Sequence, residues 1–92
     1  MSTIKRDKLR VIYDLLKIIK DHHNSIKPTP LLRYSNLSSQ RFPEYISELL
    51  EKGFIKEILD KNSRKFYTLT DKGFEYLAKY ETIAGFISDF NL

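Results

Sequence analysis

Residues 29–42 read Thr-Pro-Leu-Leu-Arg-Tyr-Ser-Asn-Leu-Ser-Ser-Gln-Arg-Phe, and the fold turns on this stretch. Thr29 followed by Pro30 has the form of an N-cap with proline at the first helical position, where a missing N–H leaves no hydrogen bond unmade. It predicts a short helix, Leu31-Leu32-Arg33-Tyr34, barely more than one turn long. Ser35-Asn36 ends it, because asparagine tolerates the left-handed conformation that closes a helix. Leu37 and Ser38 then supply an apolar residue and a fresh N-cap. Two helices joined by about three residues make a helix-turn-helix.

Downstream, Ser38 to Lys52 places Phe42, Tyr45, Ile46, Leu49 and Leu50 on one helical face and Gln40, Arg41, Glu44, Ser47, Glu48 and Glu51 on the other. Gly53 stops that helix. Phe54 to Leu59, rich in β-branched and aromatic residues, predicts a strand, and Asp60-Lys61-Asn62-Ser63-Arg64 a polar turn. Lys65 to Leu69 is the returning strand, so the two form a hairpin with Lys61, Arg64 and Lys65 about its tip. Thr70 caps a last helix, with Gly73 in its first turn implying close backbone approach and Phe74, Leu77 and Ala78 expected to face the core. A second stripe on this helix, Tyr76, Tyr80, Ile83, Ile87 and Phe90, advances by 4, 3, 4 and 3 residues, the seam spacing of a coiled coil.

Upstream, Lys5 to about Asp21 carries Leu9, Val11, Ile12, Leu15, Leu16, Ile18 and Ile19 in a helical pattern whose apolar arc exceeds one stripe. This breadth implies burial on more than one side, including against a second subunit. His22, His23 and Asn24 break the pattern, and Lys27-Pro28-Thr29-Pro30 forms a stiff connector. Adjacent histidines diverge on a helix and no cysteine is present, so a solvated helix end is expected there and not a metal site.

Ninety-two residues, 41% of them hydrophobic, suit a single domain over 1–92: a core and wing over about 4–74 and a C-terminal dimerisation helix over about 71–90. Without cysteine there are no disulfides, thiolate metal sites or cysteine nucleophiles. No phosphate-cradling glycine loop, nucleophile elbow or paired acid and base is present, so neither enzymatic activity nor a cofactor is expected. No run is long and apolar enough to span a bilayer and the first residues lack a secretory signal, which gives the expectation of a cytoplasmic protein without membrane partners. The net charge of +4 is unevenly distributed: residues 1–65 carry 14 Lys and Arg against 8 Asp and Glu, residues 66–92 carry 2 against 4. The basic excess therefore lies in the part of the chain that would face a polyanion.

Three motifs, L-L-x-Y-S-N-L-S from Leu31, Y-I-x-x-L-L-E-K-G-F-I from Tyr45 and F-Y-x-L-T-x-K-G-x-x-Y-L from Phe66, resemble the small archaeal winged-helix DNA-binding regulators. With the first helix included, the resemblance covers nearly the whole chain. It implies a mainly α fold with a small β-hairpin (α+β), a winged helix-turn-helix with an extended C-terminal helix that pairs with a second copy in a coiled coil. Double-stranded DNA and the chain itself are the implied partners. One departure stands out: Pro43 falls where the family has an ordinary helix former. Either the third helix starts at Pro43, or residues 38–42 form a distorted first turn.

DNA binding requires cations that neutralise phosphates and polar or guanidinium groups that reach base edges. Ser39, Gln40 and Arg41 are the candidate groove readers, with Arg41 suited to guanine and Gln40 to adenine, while Ser38 caps the helix. Arg33 and Lys27 are candidates for flanking phosphates and Tyr34 for a stacking or backbone contact. Lys61, Arg64 and Lys65 are placed on a wing that enters the minor groove or straddles the phosphates next to it. Lys5, Arg6, Lys8 and Arg10 are equally suited to solvent or DNA. Glu44, Glu48 and Glu51 oppose the reading, unless the helix enters the groove tilted, by its N-terminal end. Alternatives are sequence-tolerant packaging of DNA and a winged helix used for protein contacts.

Overall fold

The computed structural model describes residues 7–92. Six elements follow in order: α1 (Lys8–Asp21), α2 (Pro28–Ser35), α3 (Phe42–Glu51), β1 (Ile55–Leu59), β2 (Lys65–Leu69) and α4 (Asp71–Asp89). The expected start of the first helix at Lys5, and Lys5 and Arg6 themselves, lie outside the described residues. Within them α1 is capped by Asp7, whose carboxylate accepts from the Arg10 amide at 2.9 Å.

The broad apolar arc of α1 is covered by the chain's own elements. Val11, Ile12, Leu15, Leu16 and Ile19 are all buried and join Leu31 of α2, Phe42, Ile46 and Leu49 of α3, Ile55, Tyr67 and Leu69 of the hairpin and Leu77 of α4 in one core. Helix α1 runs through the centre of this core, touching α2, α4 and β2. Leu9 at its start is the exception, 58% exposed.

Strands β1 and β2 pair antiparallel with Ile55 opposite Leu69 and Leu59 opposite Lys65. A third short edge is supplied by Ile26, which exchanges two backbone hydrogen bonds with Tyr67 (3.2 and 2.8 Å), while the Leu69 amide donates to Asn24 Oδ1 at 2.8 Å. The loop after α1 is therefore pinned to the hairpin. His23 and Asn24 reverse the chain there at φ 62° and 57°. His22 Nδ1 donates to the Ile18 carbonyl at 2.7 Å, so that ring closes the helix end.

Several boundaries differ from the expected ones. Helix α2 begins at Pro28, with Lys27 as its cap and no side chain closing it, so Thr29 is inside the helix and not its cap. Proline is tolerated throughout the first turn because none of its amides has an intrahelical acceptor, and Pro28 and Pro30 both fit there. The helix is eight residues long and ends at Asn36 in the left-handed region, φ 60°. Strand β1 starts at Ile55, one residue after Phe54.

Helix α4 is capped by Thr70, whose hydroxyl accepts from the Gly73 amide at 3.2 Å and donates to the Gly53 carbonyl at 2.5 Å. Gly73 sits directly against the Phe54 carbonyl oxygen, the close approach its position implies. Phe74 and Ala78 do not face the core: both are exposed, and Leu77 alone of the three is buried. The helix touches the domain along a narrow line, and from Glu81 to Leu92 every residue is exposed. Its last turns extend beyond the core.

Candidate nucleic-acid interface

The helix-turn-helix is built from α2, the Asn36 reversal and the approach to α3. Ser38 Oγ accepts from the Arg41 amide at 3.0 Å and the Ser38 carbonyl accepts from the Phe42 amide at 3.0 Å, closing one turn over residues 38–42. Arg41 already has helical dihedrals, φ −82° and ψ −30°. Pro43 has no amide to give to the Ser39 carbonyl, so the regular helix begins only at Phe42, with proline in its first turn. Neither alternative that Pro43 leaves open is met outright. Residues 38–42 form a separate turn closed by Ser38, and α3 starts at Phe42, one residue before Pro43. Arg41 holds the cap position of α3 with no side-chain cap bond, so Ser38 does not cap the helix itself.

That turn presents Ser39, Gln40 and Arg41 to solvent, all three exposed. The Arg41 guanidinium lies over the Tyr45 ring, its Cζ 5.6 Å from the centroid, and Nη2 donates to the Tyr45 hydroxyl at 3.4 Å. Tyr45 is itself half-buried against the core. An arginine resting on a fixed aromatic face is held extended over one helical turn and loses less side-chain freedom when it engages a ligand. The sequence reading missed this support, although the i, i+4 spacing of Arg41 and Tyr45 is its signal.

The hairpin tip is organised by one carboxylate. Asp60 Oδ1 accepts from the Asn62 and Arg64 amides at 2.8 and 2.9 Å, and Oδ2 from Arg64 Nε at 3.1 Å. These bonds, the Arg64 amide foremost, hold the Asp60 carboxyl below its usual range. Ser63 completes the turn at φ 60°. Lys65 Nζ lies 3.0 Å from Glu57 Oε1 across the hairpin. Lys61 is exposed at the tip. Two of the three wing cations thus have a carboxylate neighbour at the surface, and such pairs exchange readily with other anions.

Lys65, Glu57 and Tyr67 form one wall of an open cleft of about 370 Å³ whose other wall is Phe42, Pro43, Ile46, Ser47 and Leu50 of α3. The start of α3 and the basic wing therefore flank a single groove. Lys27 stands beside the hairpin, its Nζ 5.8 Å from the Phe66 ring centroid. Arg33 and Tyr34 are both exposed on α2. Tyr34 leans on the His22 ring (centroids 5.0 Å apart) and Arg33 on Tyr34 (5.8 Å), so one face of Tyr34 is committed to closing α1.

Of the glutamates on α3, Glu48 is matched: Lys8 Nζ lies 2.7 Å from its Oε2, and Lys52 Nζ 3.7 Å. Arg10 pairs with Asp14 at 3.0 Å. The two described cations at the start of α1 are thus engaged within the fold. Glu44 and Glu51 are exposed. Among the described residues no group of three or more His, Cys, Asp or Glu could hold a metal ion, and no helix is long and apolar enough to cross a membrane.

The proposed seam divides in two. Tyr76 donates to the Leu9 carbonyl at 2.7 Å, and Tyr80 stacks on Tyr13 with centroids 4.4 Å apart, so both hold α4 to α1 of the same chain. Ile83, Ile87 and Phe90 are 59%, 46% and 65% exposed, and Phe86 joins them at 57%, its ring 4.9 Å from that of Phe90.

The comparisons with known proteins agree with this architecture. In sequence the chain is 34% identical over 83 residues to an uncharacterised protein of Methanocaldococcus jannaschii, an alignment covering 90% of this chain and 36% of that one. The chain thus spans little more than a third of the length of this relative. In structure it is similar to Sso10a-2, a DNA-binding protein from Sulfolobus solfataricus, with a TM-score of 0.75 and 16% identity over 94% of this chain and 86% of that one. It is also similar to a MepR-like protein complexed with pseudoligands, with a TM-score of 0.66 and 22% identity over 85% of this chain and 59% of that one. At these identities the structural likenesses speak for the fold alone. The family model that matches residues 5–87 is the winged helix-turn-helix, and it is to this family that the chain belongs.

Proposed function

We propose that the chain binds double-stranded DNA and regulates transcription as a homodimer, reading the major groove with the turn that precedes α3 and holding phosphates with the wing. One observation carries the reading: an open cleft of about 370 Å³ runs between the start of α3, at Phe42, Pro43 and Ser47, and the wing strands at Lys65, and the exposed Ser39-Gln40-Arg41 turn leads directly into that helix. A backbone strand lying there has the major groove on the α3 side and the minor groove on the wing side. The DNA binding named for Sso10a-2, whose fold this chain shares, supports the same reading.

Lys27, Arg33 and Lys61 serve as phosphate contacts, and Arg64 and Lys65 exchange their carboxylate neighbours for phosphates. The pairing of Glu48 with Lys8 offsets one of the three carboxylates that oppose DNA on α3, while Glu44 and Glu51 stay exposed and call for the helix to enter the groove by its N-terminal end. Ile83, Ile87 and Phe90 form the seam with a second copy, extended by Tyr76 and Tyr80, whose inner faces rest on α1. A two-fold dimer of this kind reads half-sites about 10 base pairs apart, or a multiple of that.

The test is selection of sequences from a random duplex pool at two salt concentrations, with affinities then measured by fluorescence anisotropy. A recurring two-fold symmetric site, bound with a steep salt dependence, is the expected outcome. Binding without preference leaves the packaging role. No binding at low salt, where counterion release favours association most, overturns the reading altogether.

A further inference from the structure

The large exposed apolar residues do not all have the same explanation. Leu9, Ile83 and Ile87 line one cleft where the start of α1 meets the protruding end of α4, Phe86 and Phe90 stand ring to ring on that end, and the proposed seam accounts for Ile83, Ile87 and Phe90. Ile58 and Leu59, at the far end of β1, lie outside that region. Ile58 sits opposite the half-buried Phe66 in the hairpin register and draws partial cover from it. Leu59 is 63% exposed, and its register partner is Lys65.

Side chains alternate along a strand, so Leu59 shares its face with Glu57 and Ile55, the face that carries the Glu57–Lys65 pair and lines the groove beside α3. It is the last residue of the strand before the loop that Asp60 clasps by three hydrogen bonds. Leu59 is therefore mounted on paired backbone next to an ordered turn, with Lys61, Arg64 and Lys65 close by in the chain. Cations that draw a hairpin tip onto phosphates, with an exposed aliphatic side chain on paired backbone opposite one of them, Lys65, match the chemistry of a minor-groove wedge. Such a side chain enters between two base pairs, partly unstacks them and kinks the duplex toward the major groove.

We propose that Leu59 is a wedge of this kind, so that the protein bends the DNA it binds. The inference rests on the DNA-binding reading above and adds to it an architectural activity. A wedge gives sequence preference without hydrogen bonds, because pyrimidine–purine steps unstack most easily.

The experiment uses the full chain and a duplex labelled at both ends, with energy transfer reporting the bend and anisotropy the affinity. The wild-type protein is expected to bend the duplex by somewhere in the range of about 20–90°. Leu59→Ala is expected to bind severalfold more weakly and leave the duplex nearly straight, while Leu59→Met retains the bend. A mismatch at the contacted step, which removes most of the unstacking cost, should tighten wild-type binding and leave Leu59→Ala unaffected. Circular dichroism checks that the variants are folded, which the exposure of Leu59 leads one to expect. Tight binding by the wild type without a bend, or an equal bend with Leu59→Ala, overturns the wedge and leaves DNA binding intact. Failure of the wild type to bind any duplex at low salt overturns both.

Discussion

Lys8 Nζ lies 2.7 Å from Glu48 Oε2, tying the first turn of α1 to the middle of α3. The hydrogen bond from Lys8 is the main reason the Glu48 carboxyl is held below its usual range, and the same bond raises the Lys8 ammonium above its own. The pair shares a polar pocket with Arg41, Glu44 and Tyr45, so it sets the charge beside the residue proposed to read bases. Lys8→Ala leaves the Glu48 carboxylate with Lys52 alone, 3.7 Å away, and is expected to weaken binding to every duplex severalfold at low salt. Glu48→Gln leaves Lys8 for phosphates and is expected to strengthen it. Anisotropy titrations of the two variants decide the matter: a purely structural pair would weaken binding in both.

The two glycines of α4 predict opposite outcomes for the same substitution. A Cβ at position 73 would collide with the Phe54 carbonyl oxygen and crowd Leu69 at 3.2 Å, so Gly73→Ala must push α4 off the hairpin root. A loss of about 1–3 kcal/mol is expected, the usual result of forcing atoms into a packed contact. Nothing lies within 4 Å of a Cβ at position 85. Gly85→Ala should therefore raise stability by up to about 1 kcal/mol through helix propensity alone. Denaturant unfolding of both variants, followed by helical ellipticity, measures the pair.

How much of this was legible in the sequence depended on whether the cause was local. The hairpin turn was readable because Asp60 to Arg64 makes its own hydrogen bonds, and the Thr70 cap because its partner is three residues away. The start of α2 was displaced because Pro28 and Pro30 satisfy the same local rule, and only packing chooses between them. Phe74 and Ala78 were misplaced because the spacing of apolar residues gives a helix its faces without saying how wide the contact is. The site followed the same division. Exposure of Ser39, Gln40 and Arg41 follows from the turn that Ser38 closes, whereas the meeting of Lys8 with Glu48 depends on how α1 crosses α3, which no short window contains.

Tyr76 gives the fold an alkaline limit. Its hydroxyl donates to the Leu9 carbonyl at 2.7 Å, and burial pushes its pKa up to about 12. The unfolded chain releases this proton near pH 10, well before the folded one. The stability held by the neutral phenol is thus complete below about pH 10 and is lost as pH rises toward about 12. Tyr76→Phe removes that part of the alkaline loss and, at neutral pH, costs about 0.5–1.5 kcal/mol for the missing hydrogen bond. Tyr13 and Tyr67, also raised by burial, leave a residual slope. Unfolding midpoints measured between pH 8 and pH 12 should converge for the two proteins at the alkaline end.

The protruding half of α4 predicts an assembly defect separable from folding. Ile83 and Ile87 are exposed in the single chain, so Ile83→Asp with Ile87→Asp leaves the core untouched and places charges on the proposed seam. The variant should keep its helical spectrum and fall to half the wild-type mass by light scattering. An unchanged mass would move the interface away from this stripe.

Arg41 and the wing should fail in different ways when removed. Arg41 stands on Tyr45 with its guanidinium directed from a capped turn, an arrangement suited to a bidentate contact with one guanine. Arg41→Ala is expected to cost about 1–3 kcal/mol on the preferred sequence and much less on random duplex. Lys61 and Arg64 sit on a hairpin tip whose shape Asp60 fixes through backbone amides, so Lys61→Ala with Arg64→Ala keeps most of the turn while removing two charges. Its expected effect is an equal loss on all sequences and a salt dependence shallower by about one unit for each phosphate contact given up. Titrations of both variants on selected and random duplexes, at several salt concentrations, separate the roles. Equal losses on both duplexes for Arg41→Ala would mean that the arginine holds the backbone as the wing does, and that bases are read from elsewhere on the turn.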